Sequence, residues 1–263
     1  MMLPVNELKD WFYVLSMGLP RLLAMFTVLP MLHKKILGGT MIRNGICMCL
    51  VLFLHPLIAD SKPDESIPIF VTAGIVLKEV FIGALMGFCI AIPFWALESA
   101  GFFIDNQRGA SMASVMNPFS GSETSSLGLL FSQAFIALVM TSGLFLLLLK
   151  NLFLSYETWP VFSYYPELNM KATLFFLGQF DLIVSLCMWL SAPVVISMFI
   201  TEFGIALISR SAPQLNVFIL AMPIKSGVAA AILVIYVGTI MVLSRQHLMD
   251  MGSLFKSLGI LWQ

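Results

Sequence analysis

Charge is what this sequence has least of. Only 11% of its 263 residues are Asp, Glu, Lys or Arg, against roughly 25% in an ordinary soluble domain, so a globule covered by its own polar surface is excluded. The 14 basic and 14 acidic residues cancel. That leaves no broad field to hold nucleic acid or to steer a charged substrate. Catalytic signatures are missing as well: the chain has no His-Glu-x-x-His, no Gly-x-Ser-x-Gly and no phosphate-loop pattern, and His33, His55 and His247 are scattered. The expectation is a protein that is not an enzyme and takes no metal and no cofactor. Cysteine is scarce too, and Cys47, Cys49, Cys89 and Cys187 all lie inside apolar runs, where thiols serve as small packing groups, so no disulfide is expected. Glu7, Lys9 and Asp10 precede the first apolar run without a small-residue cleavage pattern after it. The N-terminal segment therefore does not read as a removable signal.

What is there is apolar: 59% of the residues are hydrophobic. Uncharged stretches run over 22–32, 45–58, 80–97, 127–149, 182–201 and 226–243, and lipid forces such stretches to be helical because their backbone groups must pair within the segment. A single all-α bundle over residues 1–263 follows. Only 127–149 and 226–243 read as conventional crossings; the region from Trp11 to Leu32 is expected to break at Pro20 and Pro30, and 45–58 to stop short at His55-Pro56. The stretch 67–97, if continuous, is about 46 Å long and must tilt or leave the lipid. Lys34, Lys35 and Arg43 make the first link basic, whereas Asp60, Asp64 and Glu65 make the second acidic, which puts the first link in the cytoplasm.

Lys78, Glu79, Glu98, Asp105, Arg108, Asp181, Glu202, Arg210 and Lys225 sit within or at the edges of apolar segments. Each costs at least about 2.5 kcal/mol at a bilayer centre, so such groups face a protein interior or a wet cavity, or snorkel from an interface. Gly83 and Gly87 form a small-xxx-small pair that admits another backbone. Between Glu98 and Ser126 the pattern turns to Gly, Ser and Asn for longer than a tight turn needs, which suits a surface linker or a segment folded back into a pore. Asp105 and Arg108 can meet only if their turn is helical.

Residues in this order and spacing resemble the SctT/FliR family of type III secretion export apparatus proteins: Lys78-Glu79 with Gly83 and Gly87; Glu98, Gly101, Asp105, Gln107 and Gly109; Pro118; Arg210 with Pro213-Gln214-Leu215-Asn216; and Pro223-Ile224-Lys225. The resemblance covers nearly the whole chain and is strongest to the injectisome branch of SpaR type, because Thr141-Ser142-Gly143-Leu144 stands where flagellar relatives commonly have Gly-Gly-His. It implies an export-gate fold of kinked helical hairpins, similar to an SctR subunit fused to an SctS-like hairpin at about 180–245. The implied role is a pore for unfolded effector and needle proteins, built with SctR- and SctS-type partners, beside an SctU-type switch protein and the basal-body ring. The implied place is the bacterial inner membrane, with the assembly held on its periplasmic side. Within the plug-like loop 107–122 the resemblance points to Gln107, Arg108, Gly109, Ser111, Met112, Met116, Asn117 and Pro118. For assembly and packing it points to Lys78, Glu79, Gly83, Gly87, Glu98, Asp105, Arg210, Pro213, Gln214, Asn216 and Lys225. A secondary solute transporter, also built from kinked helices with buried charge, is the alternative.

Overall fold

The computed structural model describes residues 5–63, 68–109, 125–163, 170–211 and 217–261. Among them the regular structure is entirely helical: α1 (Val5–Val28), a 3-10 turn (Pro30–Leu32), α2 (Lys34–Leu37), α3 (Thr40–Ala59), α4 (Ile69–Gln107), α5 (Ser126–Thr141), α6 (Leu144–Thr158), α7 (Met170–Ser211) and α8 (Val217–Leu261). Five helices are long and apolar enough to cross a membrane, and α5 with α6 qualifies only as a pair. This is an all-α, multi-pass membrane chain.

The helices are longer than the uncharged stretches suggest. At 1.5 Å per residue the 39 residues of α4 span about 58 Å, well beyond a hydrocarbon core of roughly 30 Å, and α7 and α8 are longer still. Their ends leave the lipid or the helices tilt steeply. Prolines interrupt less than expected: α1 runs through Pro20 and α3 through Pro56. A proline deletes one backbone bond, and in α1 the Tyr156 hydroxyl donates to the Gly18 carbonyl in the same turn at 2.8 Å, adding a contact where the ladder is weakened. The break comes at Pro30, where the chain passes into the 3-10 turn. Conversely, the proline-free stretch 127–149 is not one straight helix. It divides at Ser142-Gly143, with Gly143 in the left-handed region at φ +74°.

The chain separates into two compact units, each drawn from distant parts of the sequence. The first comprises Met1–Ala91, Gly143–Leu177 and Met249–Gln263; the second comprises Ile92–Ser142 and Gly178–Leu248. In the first, α1 and α3 form an antiparallel hairpin: Asp10 meets Lys62 at 2.9 Å, Trp11 lies against His55, and Gly18 faces Val51 and Ile58. Its core holds Leu22, Met25, Phe26, Cys47 and Val51. The second unit is centred on Phe94, Phe131, Phe135 and Val139, with Phe94 and Phe135 packed edge to face at 4.8 Å. Hydroxyls along α7 fold back onto their own helix, as when Ser191 donates to Cys187 and Thr201 to Ser197, so they need no water.

Candidate functional site

The first unit closes around Arg21. This side chain is 0% exposed, and every one of its N–H directions is used. Nε and Nη2 fork onto the Glu79 carboxylate at 2.7 and 2.8 Å, the paired geometry that a guanidinium matches best. Nη1 donates to the Ser155 carbonyl at 2.8 Å and the Ser155 hydroxyl at 3.2 Å, and Nη2 also reaches the Trp159 carbonyl at 2.9 Å. The Tyr156 ring lies under the guanidinium, 4.2 Å from its centre.

Lys78 joins the same carboxylate at 3.1 Å. Its ammonium also donates to the carbonyls of Pro160, Val161 and Ser163, at 3.2, 2.7 and 3.0 Å. Two buried cations thus share one carboxylate. The remaining negative potential comes from the carbonyl oxygens at and after the C-terminus of α6, the end of a helix where cations are stabilised. Burying charge is tolerable here because each ion is fully hydrogen-bonded.

Small residues bring these groups together. A Cβ on Gly83 would land on the Arg21 carbonyl, and one on Gly87 would come within 2.8 Å of the Met25 carbonyl. The small-xxx-small face of α4 therefore receives the backbone of α1, in the same chain.

The second unit has its own charged centre at the far end of α4. Asp105 accepts from the Ser125 hydroxyl at 2.7 Å, the Ser126 hydroxyl at 3.4 Å and the Leu127 amide at 3.0 Å, so its carboxylate caps the start of α5. Ser125 in turn accepts from the Gly128 amide at 2.8 Å. Arg108 lies just past the helix and pairs with Asp105 at 2.7 Å, so the turn does carry the two together. Here too glycine sets the approach: a Cβ on Gly101 would come within 2.5 Å of Gly128. Gly109 is left-handed at φ +88° and faces Met222. Glu98 is exposed, but its carbonyl is the wall that Gly128 meets.

The other expected positions are dispersed. Gln107 is exposed at the last turn of α4, and Arg210 is exposed in the last turn of α7. Lys225 pairs with Glu202 at 3.0 Å, linking α8 to α7 within the second unit. Ser111, Met112, Met116, Asn117, Pro118, Pro213, Gln214 and Asn216 lie outside the described residues.

Sequence reading missed Arg21, Ser155, Tyr156, Trp159, Ser125 and Gly128. Of these only Arg21 carries a signal in the sequence, a charge inside an apolar run next to Pro20.

Residues 12–251 match the family model described as bacterial export proteins, family 1. The chain is 50% identical to the Yop proteins translocation protein T of Yersinia pestis, over 83% of each chain. It is 32% identical to the surface presentation of antigens protein SpaR of Shigella flexneri, over 91% of each. It is 26% identical to the flagellar biosynthetic protein FliR of Bacillus subtilis, over 92% of each. The SctT/FliR resemblance therefore holds, while within it the likeness is greater to the Yop protein than to SpaR.

Proposed function

The chain belongs to the bacterial export proteins, family 1, and from that premise we propose that it is a non-enzymatic subunit of a type III secretion export gate. With SctR- and SctS-type homologues it forms the pore through which unfolded effector and needle proteins leave the cell. The carrying observation is the family match across residues 12–251. The higher identity to a Yop translocation protein than to a flagellar one favours an injectisome.

The surface left by the fold supports a subunit role. Within α7 and α8 the apolar windows are only 28% and 17% covered by the chain itself, against 67% in α4. Phe199, Phe203, Val234 and Ile235 are among the large side chains left open. Sister subunits and lipid divide that surface between them, with the hairpin at about 180–245 as the SctS-like arm of one export-gate domain. The assembly sits in the basal body, on the periplasmic side of the inner membrane and beside an SctU-type switch protein.

Residues 107–122 act as the plug. Asp105 holds the chain at both ends of this stretch, through Arg108 at its start and Ser125 to Leu127 just after it. Deleting residues within 107–122 is expected to let small solutes leak through assembled complexes; an equally tight membrane would discard the plug.

The decisive test is company. Purified from cells carrying the whole apparatus, the chain is expected to elute with two other hydrophobic proteins and, reconstituted alone, to move no solute. A chain that runs alone and shows saturable uptake is a carrier, and the gate reading falls.

A further inference from the structure

The hairpin of α1 and α3 has two unlike ends. No Asp or Glu occurs between Asp10 and Asp60, and the cations in that interval are Arg21, Lys34, Lys35 and Arg43. Arg21 is consumed by Glu79. The other three stand at the turn joining the helices, opposite the end where Asp10 and Lys62 pair. The turn is therefore purely basic and the other end is mixed.

The same turn is held from below and bare above. Leu29, Met31 and Leu32 are almost wholly buried, which seats it on the first unit, and Gly38, left-handed at φ +74°, turns the chain into α3. Beyond them Ile36, Met41 and Ile42 are 51%, 87% and 53% exposed. Arg43, in the first turn of α3, is partly exposed. In the sequence Lys34, Lys35 and Arg43 flank Ile36, Met41 and Ile42, and that mixture matches one surface chemically: anionic headgroups for the cations and the upper acyl chains for the aliphatic groups.

We propose that residues 34–43 dock on anionic phospholipid headgroups of the bilayer. The charges select acidic lipid, and Ile36, Met41 and Ile42 anchor the turn at the level of the headgroups. This rests on the chain being a membrane protein and not on its partners. Its failure is thus separable from failure of the gate reading.

The test uses the full chain purified in detergent, with phosphatidylglycerol or phosphatidylcholine added and retained lipid counted by native mass spectrometry. The wild type is expected to retain phosphatidylglycerol over phosphatidylcholine. The triple variant Lys34→Gln, Lys35→Gln, Arg43→Gln should lose about tenfold of that retention, since each cation near a charged surface contributes to it. The variant Lys9→Gln, Lys62→Gln, which removes charge from the opposite end, should retain it. Circular dichroism and elution volume identify any variant that has lost its fold, and Met41→Ser, Ile42→Ser then supplies a second arm that leaves the charges in place and should weaken retention. Equal retention of both lipids by the wild type, or equal loss from the two charge variants, would overturn the proposal. So would displacement by soluble glycerol phosphate as effective as by lipid, because the aliphatic anchors would then have no part.

Discussion

Helix α4 carries a charged cluster towards each end, and the two are built on opposite terms. At Lys78-Glu79 the charges are sealed: Arg21 and Glu79 are 0% exposed, and the cluster joins α1, α4 and the end of α6. At Asp105-Arg108 the arginine keeps 26% of its surface open, and the carboxylate is spent mainly on backbone and hydroxyl groups at the start of α5. The first arrangement fixes which helices meet. The second fixes only where a helix begins, on the far side of a polar segment. Both rely on glycine for the approach of backbones, so the contrast lies in solvent and not in packing. An ion pair walled off from water is costly to break, whereas one at a margin can be loosened and remade.

That contrast can be broken, most severely at its sealed end. Glu79→Gln would leave Arg21 and Lys78 facing each other without a counter-ion, and removal of one partner from a buried pair costs about 3–5 kcal/mol. The folded protein recovered from membranes should fall steeply by fluorescence-detected size exclusion. Normal recovery would mean that the carbonyl groups suffice by themselves.

Gly83→Ala comes next, because the new methyl group meets the Arg21 carbonyl, which cannot swing aside. Overpacking of this kind costs about 1–3 kcal/mol. Gly74→Ala on the same helix meets nothing within 4 Å and should leave the melting temperature unchanged or slightly raised, which separates packing from helix propensity. A third, smaller effect is expected for Asp105→Asn, a lost charged cap worth about 1 kcal/mol. It should appear as faster hydrogen exchange at Leu127 and Gly128 with the first unit undisturbed. Smallest of all, Glu202→Gln should shift stability by less than about 1 kcal/mol, since Glu202 is 53% exposed and its pairing with Lys225 is screened. A large loss there would show that another chain buries the pair.

Reading the sequence located the charges more reliably than their companions. Lys78 and Glu79 stand out because lipid makes them expensive, and Gly83 and Gly87 because small residues four apart share a helix face. The third member, Arg21, is no less anomalous, but its partners Ser155 and Trp159 are ordinary residues more than 130 positions away. Nothing local marks them, since a backbone carbonyl looks the same in every residue. Helix ends are hidden in the sequence for a related reason. Pro20 and Pro56 each remove one bond from helices that packing holds together, while Ser142-Gly143 ends a helix inside an unbroken apolar run. Proline states its effect in the sequence; a left-handed glycine is disclosed only by the path of the chain.

Arg21 touches a carboxylate, two carbonyls, a hydroxyl and an aromatic face at once. A lysine there would preserve the charge while supplying a single compact ammonium in place of a flat, five-armed fork. It could reach one wall of the chamber and would abandon the rest. The usual sense of a conservative exchange does not apply at this position, where shape is conserved only by identity.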